Sequence, residues 1–201
     1  MSIIKLNNRG VKDATAFGSI TGLGNLVFIS RSTASSSASL SITSGLTSTY
    51  KEYIFFFNNI HPQTHNQKFT FNFSIDGGSN YNVTKTTSAF RAYQPEDASA
   101  TSLSYRTGDD LAQSTDYQGL TGSVGDDNDS SCSGFLHLFS PSDTTFVKHF
   151  ISNVQNMIGN ASSRQDFIAG YGNTTSAINA IDFKFASGNI DAGTIDLYGV
   201  N

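Results

Sequence analysis

Cysteine occurs once in this 201-residue chain, tryptophan not at all and proline three times. With Cys132 alone no intrachain disulfide can form, so the fold must stand on its core. A chain of this length buries roughly 70% of the surface its unfolded form exposes, enough for one domain without a disulfide or metal. Charge is also scarce: Asp, Glu, Lys and Arg make up 14% of residues and the net charge is −4, against about 25% charged residues in typical domains. The basic residues are scattered, which argues against a nucleic-acid partner, because phosphate binding draws on clustered Lys and Arg. No apolar run approaches the roughly 18 to 20 residues of a membrane helix; the densest is Tyr53 to Phe57. The opening residues mix Ile3, Ile4 and Leu6 with Asn7, Asn8, Arg9, Lys12 and Asp13, which is not the pattern of an export signal. A soluble chain with no membrane partner is expected.

What the chain has is Ser, Thr, Asn and Gly on one side and 16 Phe and 8 Tyr on the other. That many large rings supply the apolar area that a disordered Ser- and Gly-rich chain would lack. Residues 1–24, punctuated by glycines, read as an extended amino-terminal segment, and residues 25–201 as one domain. Short runs of period-two alternation fill the latter. Leu26 to Ser30 and Ala38 to Thr43 come first, then Tyr50 to Ile60, where Tyr53, Phe55 and Phe57 share one face and Ile54 and Phe56 the other. Apolar residues on both faces predict a central strand covered on both sides. Phe69, Phe71 and Phe73 lead to the turn sequence Asp76-Gly77-Gly78, predicting a hairpin continued through Tyr81 and Val83.

Ala89 to Gln94 and Ser102 to Arg106 read as strands around a loop, and Thr107 to Ser131 as a long stretch of weak pattern. Phe135 to Phe139 and Thr145 to Val154 bracket a turn containing Pro141. The second of these also fits helical spacing, but Thr144, Thr145 and Val147 beside a tight turn favour a strand. Phe167 to Tyr171 follows. Ile181, Phe183 and Phe185, then Ile195 and Leu197 beyond a Gly- and Asn-containing turn, predict a terminal hairpin. About ten short strands with hardly any helix predict an all-β fold: a single antiparallel β-sandwich, jelly-roll-like.

Residues suited to catalysis do not group. The two glutamates, Glu52 and Glu96, sit beside a strand and in a loop, and most aspartates lie in turns, so a carboxylate pair for glycoside cleavage has no support. Gly122-Ser-Val-Gly125 has the wrong spacing for a nucleophile elbow. Asp126 to Ser130 is rich in oxygen ligands and resembles the start of a calcium loop, but His137 stands where a bidentate glutamate belongs, and a plain acidic turn is expected. His61, His65, His137 and His149 lack zinc spacing; His137 and His149 read as a packed cross-strand pair. No catalytic residue, metal or cofactor is therefore assigned. The Asn-x-Ser/Thr triplets at Asn72, Asn82, Asn128, Asn160 and Asn173 are expected to carry no glycan. Tyr81, Tyr93, Tyr105, Tyr117 and Tyr171 suit either packing or stacking on sugar rings.

Several stretches together resemble a group of virion proteins of marine tailed bacteriophages, those of cyanobacteria and of abundant open-ocean bacteria. They are residues 3–12 (Ile-Ile-Lys-Leu-Asn-Asn-Arg-Gly-Val-Lys), 14–22, 48–62, 76–81, 110–115, 136–150 and 187–199. The likeness spans essentially the whole chain and brings no catalytic motif with it. It implies a non-enzymatic structural part of the particle, a head decoration, knob or fibre component, made in the host cytoplasm and resident in the virion. Other virion proteins, and further copies of the chain with a trimer as working stoichiometry, are the implied partners. On this reading Ile3, Ile4 and Leu6 make apolar contacts to a neighbour while Lys5, Arg9 and Lys12 face an acidic one. The alternative is a carbohydrate-binding receptor module that uses Tyr117.

Overall fold

The structure, a computed structural model, describes residues 25–159 and 161–201. The expected docking segment 1–24, with Ile3, Ile4, Lys5, Leu6, Arg9 and Lys12, lies outside the described residues. Twelve strands run through the described chain: β1 (Leu26–Thr33), β2 (Leu40–Ile42), β3 (Glu52–Pro62), β4 (Gln67–Ser74), β5 (Lys85–Pro95), β6 (Ser102–Tyr105), β7 (Gln118–Val124), β8 (Cys132–Phe139), β9 (Lys148–Ile158), β10 (Ser162–Gly172), β11 (Ala180–Phe185) and β12 (Ile190–Val200). They form an eight-stranded sheet in the order β1-β12-β3-β8-β9-β10-β5-β6 and a four-stranded sheet in the order β2-β11-β4-β7. Every pairing is antiparallel. The molecule is thus the expected all-β sandwich.

The alternating phenylalanines make the layer between the sheets. Phe55 and Phe57 of β3, Phe69, Phe71 and Phe73 of β4, Phe150 of β9, and Phe183 and Phe185 of β11 are all buried. Their rings meet across the layer, with Phe55 and Phe57 lying 5.5 and 5.3 Å from Phe183 and Phe71 lying 5.1 Å from Phe150. Each such ring contributes about 1.5–3 kcal/mol on burial. Ile195 and Leu197 of β12 close the layer opposite Phe57 and Phe55.

Local pattern and final pairing part company at four places. β11 and β12 are not a hairpin: the turn after Phe185 is a corner, and the two strands belong to different sheets. Just past the corner β12 bulges at Gly193, which has a φ of +115° and where a Cβ would lie 2.5 Å from the Asn59 carbonyl oxygen. Nor does β4 continue into a hairpin through Tyr81 and Val83, since β4 pairs with β11 and β7, and β5 crosses to the larger sheet. The weakly patterned stretch conceals β7, the edge of the smaller sheet. Finally, β3 has a sheet neighbour on each side and its Tyr53, Phe55 and Phe57 are buried, but among the described residues no second layer covers the opposite face, where Ile54 is buried and Phe56 stays half-exposed. The ambiguous segment before Val154 is strand β9, as expected.

One end of the interlayer is polar. Arg164 donates from Nε and Nη2 to Asp166 Oδ1 at 2.9 and 2.6 Å and from Nη2 to Asp109 Oδ2 at 3.2 Å. Asp109 also accepts from Lys68 at 2.5 Å and Arg106 at 3.0 Å, which ties the loop before β7 to β4 and β10. Burial opposes the Asp109 charge, but Lys68, Arg106 and Arg164 hold its carboxyl below the usual range. Gly122 makes room for the Arg164 guanidinium, since a Cβ at that position would sit 1.8 Å from Nη1.

Candidate functional site

Antiparallel register puts directly opposed residues on one face. On the outer face of the eight-stranded sheet one line of register runs through Tyr105 of β6, Phe90 of β5, Phe167 of β10, Asn153 of β9, Phe135 of β8 and Phe56 of β3. It continues through Asp196 of β12 to Arg31 of β1. Five of the first six side chains are aromatic. Phe90 and Phe167 stack at 4.6 Å and 8°, and beside the row Tyr198 meets Phe56 edge-on at 5.6 Å and Phe28 at 5.5 Å. The hydrophobic driving force that built the interlayer is here left facing outward.

The outward residues of β8, β9, β10, β5 and β6, among them His137, Ile151, Gln155, Gln165, Ala92 and Leu103, include no Asp, Glu, Lys or Arg. On the rest of the face the charged side chains have partners within the subunit. Arg31 holds Asp196 through a two-pronged pair at 2.6 and 2.7 Å, which lowers the Asp196 carboxyl, and Glu52 is bonded to His137. A hollow of about 490 Å³ lies at the β5–β6 end, lined by Ala92, Gln94, Leu103, Ser163 and Gln165 among others. The chemistry on offer is flat apolar area interleaved with neutral amides, suited to binding rather than proton transfer.

The five tyrosines do not converge. Tyr105 and Tyr171 share the outer face, whereas Tyr93 lies on the inner register opposite Arg164. Tyr117 stands on the other side of the sandwich, in a cleft of about 330 Å³ with Lys68, Asp109 and Lys184. Its hydroxyl donates to Asp182 at 3.0 Å, and the Lys184 ammonium lies over its ring at 4.1 Å. Burial, with Asp182 adding to it, raises the Tyr117 hydroxyl well above its ordinary range. One face of the ring that would stack on a sugar is already taken.

His137 and His149 are not a cross-strand pair. His137 stands opposite Ile151, and His149 opposite Tyr171. In the oxygen-rich turn His65, Asp126 and Asp127 bring ligand atoms within 4.8 Å of one another, but all three are exposed, and His65 Nδ1 already meets Asp126 at 2.5 Å. Asn72, the first Asn of the triplets, is fully buried and donates to the Tyr81 and Thr115 carbonyls.

The aromatic row went unread in the sequence, although its signal is there: Phe56 beside Phe57, Phe135 beside Leu136, Phe167 beside Ile168. Each is an adjacent apolar pair, which in an alternating strand places one member outward. No family model, no curated protein and no solved structure matches the chain.

Proposed function

We propose that this chain is a non-enzymatic structural subunit of a tailed-bacteriophage particle, a head decoration, knob or fibre component that works by association. The observation that carries the reading is the aromatic outer face of the large sheet, free of Asp, Glu, Lys and Arg over β8, β9, β10, β5 and β6. A subunit held in an assembly buries such area, whereas a free sandwich gains nothing from leaving it in water. The whole-chain resemblance to marine phage virion proteins supports the same reading. Residues 1–24 supply the second contact, with Ile3, Ile4 and Leu6 on a neighbouring virion protein and Lys5, Arg9 and Lys12 against acidic side chains. The test is incorporation: full-length chain and a variant without residues 1–24 are expressed during particle assembly, and purified particles are assayed by mass spectrometry. Loss of the truncated chain from particles is expected; undiminished incorporation overturns the segment's role, and absence of the full-length chain overturns the reading itself.

A carbohydrate-binding receptor module is the second reading, and the amides of Gln94 and Gln165 around the 490 Å³ hollow favour it. A glycan array on the purified chain separates the two. Reproducible hits lost with Gln165→Ala or Tyr117→Ala support the module, and a blank array removes it.

A further inference from the structure

The described residues have eight large hydrophobic side chains that stand exposed, and six of them, Leu26, Phe28, Phe90, Leu103, Tyr105 and Ile151, project from one surface, the outer face of the eight-stranded sheet. We propose that this face is buried against the same face of a second copy of the chain, about a two-fold axis lying in the interface plane. The inference deepens the reading of the chain as an assembly subunit and rests on it.

Charge selects the partner. The outward positions of β8, β9, β10, β5 and β6 have no formal charge, so two copies meet there without like-charge repulsion and without stranding an ion in a dry interface. Arg31 is ion-paired with Asp196, and Glu52 is hydrogen-bonded to His137, within each subunit before it docks. A contact between unlike surfaces would need a second apolar face. The outward side of the smaller sheet carries Lys68 of β4 and Lys184 of β11, so among the described residues the large sheet's face finds its match only in itself.

Size agrees. Five strands about 4.8 Å apart, with roughly 30 Å of strand length, offer roughly 700 Å² per copy, close to the ~800 Å² per partner of a stable interface. Face-to-face sheets pack about 10 Å apart, a gap that Phe90, Phe167, Phe135 and Ile151 fill by interdigitation.

Sedimentation velocity on the purified full-length chain tests this, with three variants beside it. The wild-type chain is expected at twice the 21.5 kDa of one chain. Ile151→Lys and Phe90→Lys alter side chains that are 51% and 44% exposed, so the subunit stays folded, and each is expected to weaken association at least about 100-fold. Ile75→Lys, at a 44% exposed side chain just past β4 of the smaller sheet, is expected to leave the dimer intact. Four outcomes overturn the proposal: a wild-type monomer at roughly 100 μM, a trimer, a dimer that survives both face variants, or a dimer lost equally with Ile75→Lys. A monomer that dimerises once residues 1–24 are removed assigns the face to the chain's own amino-terminal segment, and a monomer whose glycan binding Phe90→Lys abolishes assigns it to a sugar; either also overturns the proposal. Failure here leaves particle incorporation untouched, so the dimer and the structural role are judged separately.

Discussion

Lys85 is fully buried at the start of β5, where its ammonium donates to Asn72 Oδ1 at 2.5 Å and to the Val83 carbonyl at 2.8 Å, and no carboxylate among the described residues is bonded to it. Burial pushes it down to about 7 from 10.5, with Asp116 opposing. Between those two values the unfolded chain binds a proton that the folded chain does not, so this residue makes stability rise with pH across that window. Below pH 7 both states are charged and the penalty is present in full. Lys85→Met is expected to flatten the rise and to stabilise the chain at pH 7, since Asn72 Oδ1 keeps the Phe73 N–H at 2.9 Å. Urea unfolding at pH 7, 8 and 9.5 checks it, and equal pH slopes for the two proteins would contradict the assignment. Arg164 behaves oppositely, because its removal leaves Asp166 with the Gly122 N–H at 2.9 Å. Arg164→Ala is expected to cost about 3–5 kcal/mol in equilibrium unfolding. Adding Asp166→Asn should recover part of that loss, whereas purely additive losses would show that the two side chains do not interact.

At the scale of elements, β12 shows what alternation can and cannot convey. Ile195 and Leu197 are fully buried between Phe57, Phe55 and the smaller sheet, so Ile195→Asp or Leu197→Asp puts an unpaired charge into that layer at a cost of roughly 4 kcal/mol or more. Wild-type thermal stability in either variant would refute the inner-face assignment. Gly193→Ala is expected to cost about 1–3 kcal/mol, combining a left-handed backbone with contact to the Asn59 carbonyl; thermal melts measure it. The faces of β2, β4, β11 and β12 were legible because each alternates apolar with polar residues over at least three positions. Their partners were not. A Gly- and Asn-containing turn of seven residues reads alike whether it folds a strand back on itself or carries it to the opposite sheet, and only the packing of Phe183 on Phe55 distinguishes the two. β7 was hidden because its inward side chains include Gln118, held by Thr87 and Asp109, where a strand pattern wants an apolar residue. The aromatic row failed for a related reason: Phe56 could be read as facing away from Phe57, but whether a layer covers it depends on which strands the smaller sheet recruits.

For the whole molecule the two proposed contacts answer differently to salt, which allows them to be separated in one preparation. The face on β8, β9, β10, β5 and β6 has no charge to screen, so its association draws on apolar burial. The contact through Lys5, Arg9 and Lys12 draws on attraction to an acidic neighbour, and attraction between exposed charges fades as the screening length falls from about 10 Å at 0.1 M salt to about 3 Å at 1 M. Raising sodium chloride from 0.1 to 1 M should therefore leave the dimer of the purified chain unchanged or tighter, and sodium sulfate should tighten it further, because excluded salts strengthen burial. Over the same range, docking of added chain onto particles lacking it should weaken, and charge removal at Lys5, Arg9 and Lys12 should abolish that dependence while lowering affinity at 0.1 M. Sedimentation velocity reads the first and a particle co-sedimentation assay the second. A dimer that dissociates in 1 M sodium chloride would mean that charged groups hold it, which the register of the outer face does not provide. Particle docking indifferent to salt would move the weight of the amino-terminal contact from the three basic residues to Ile3, Ile4 and Leu6.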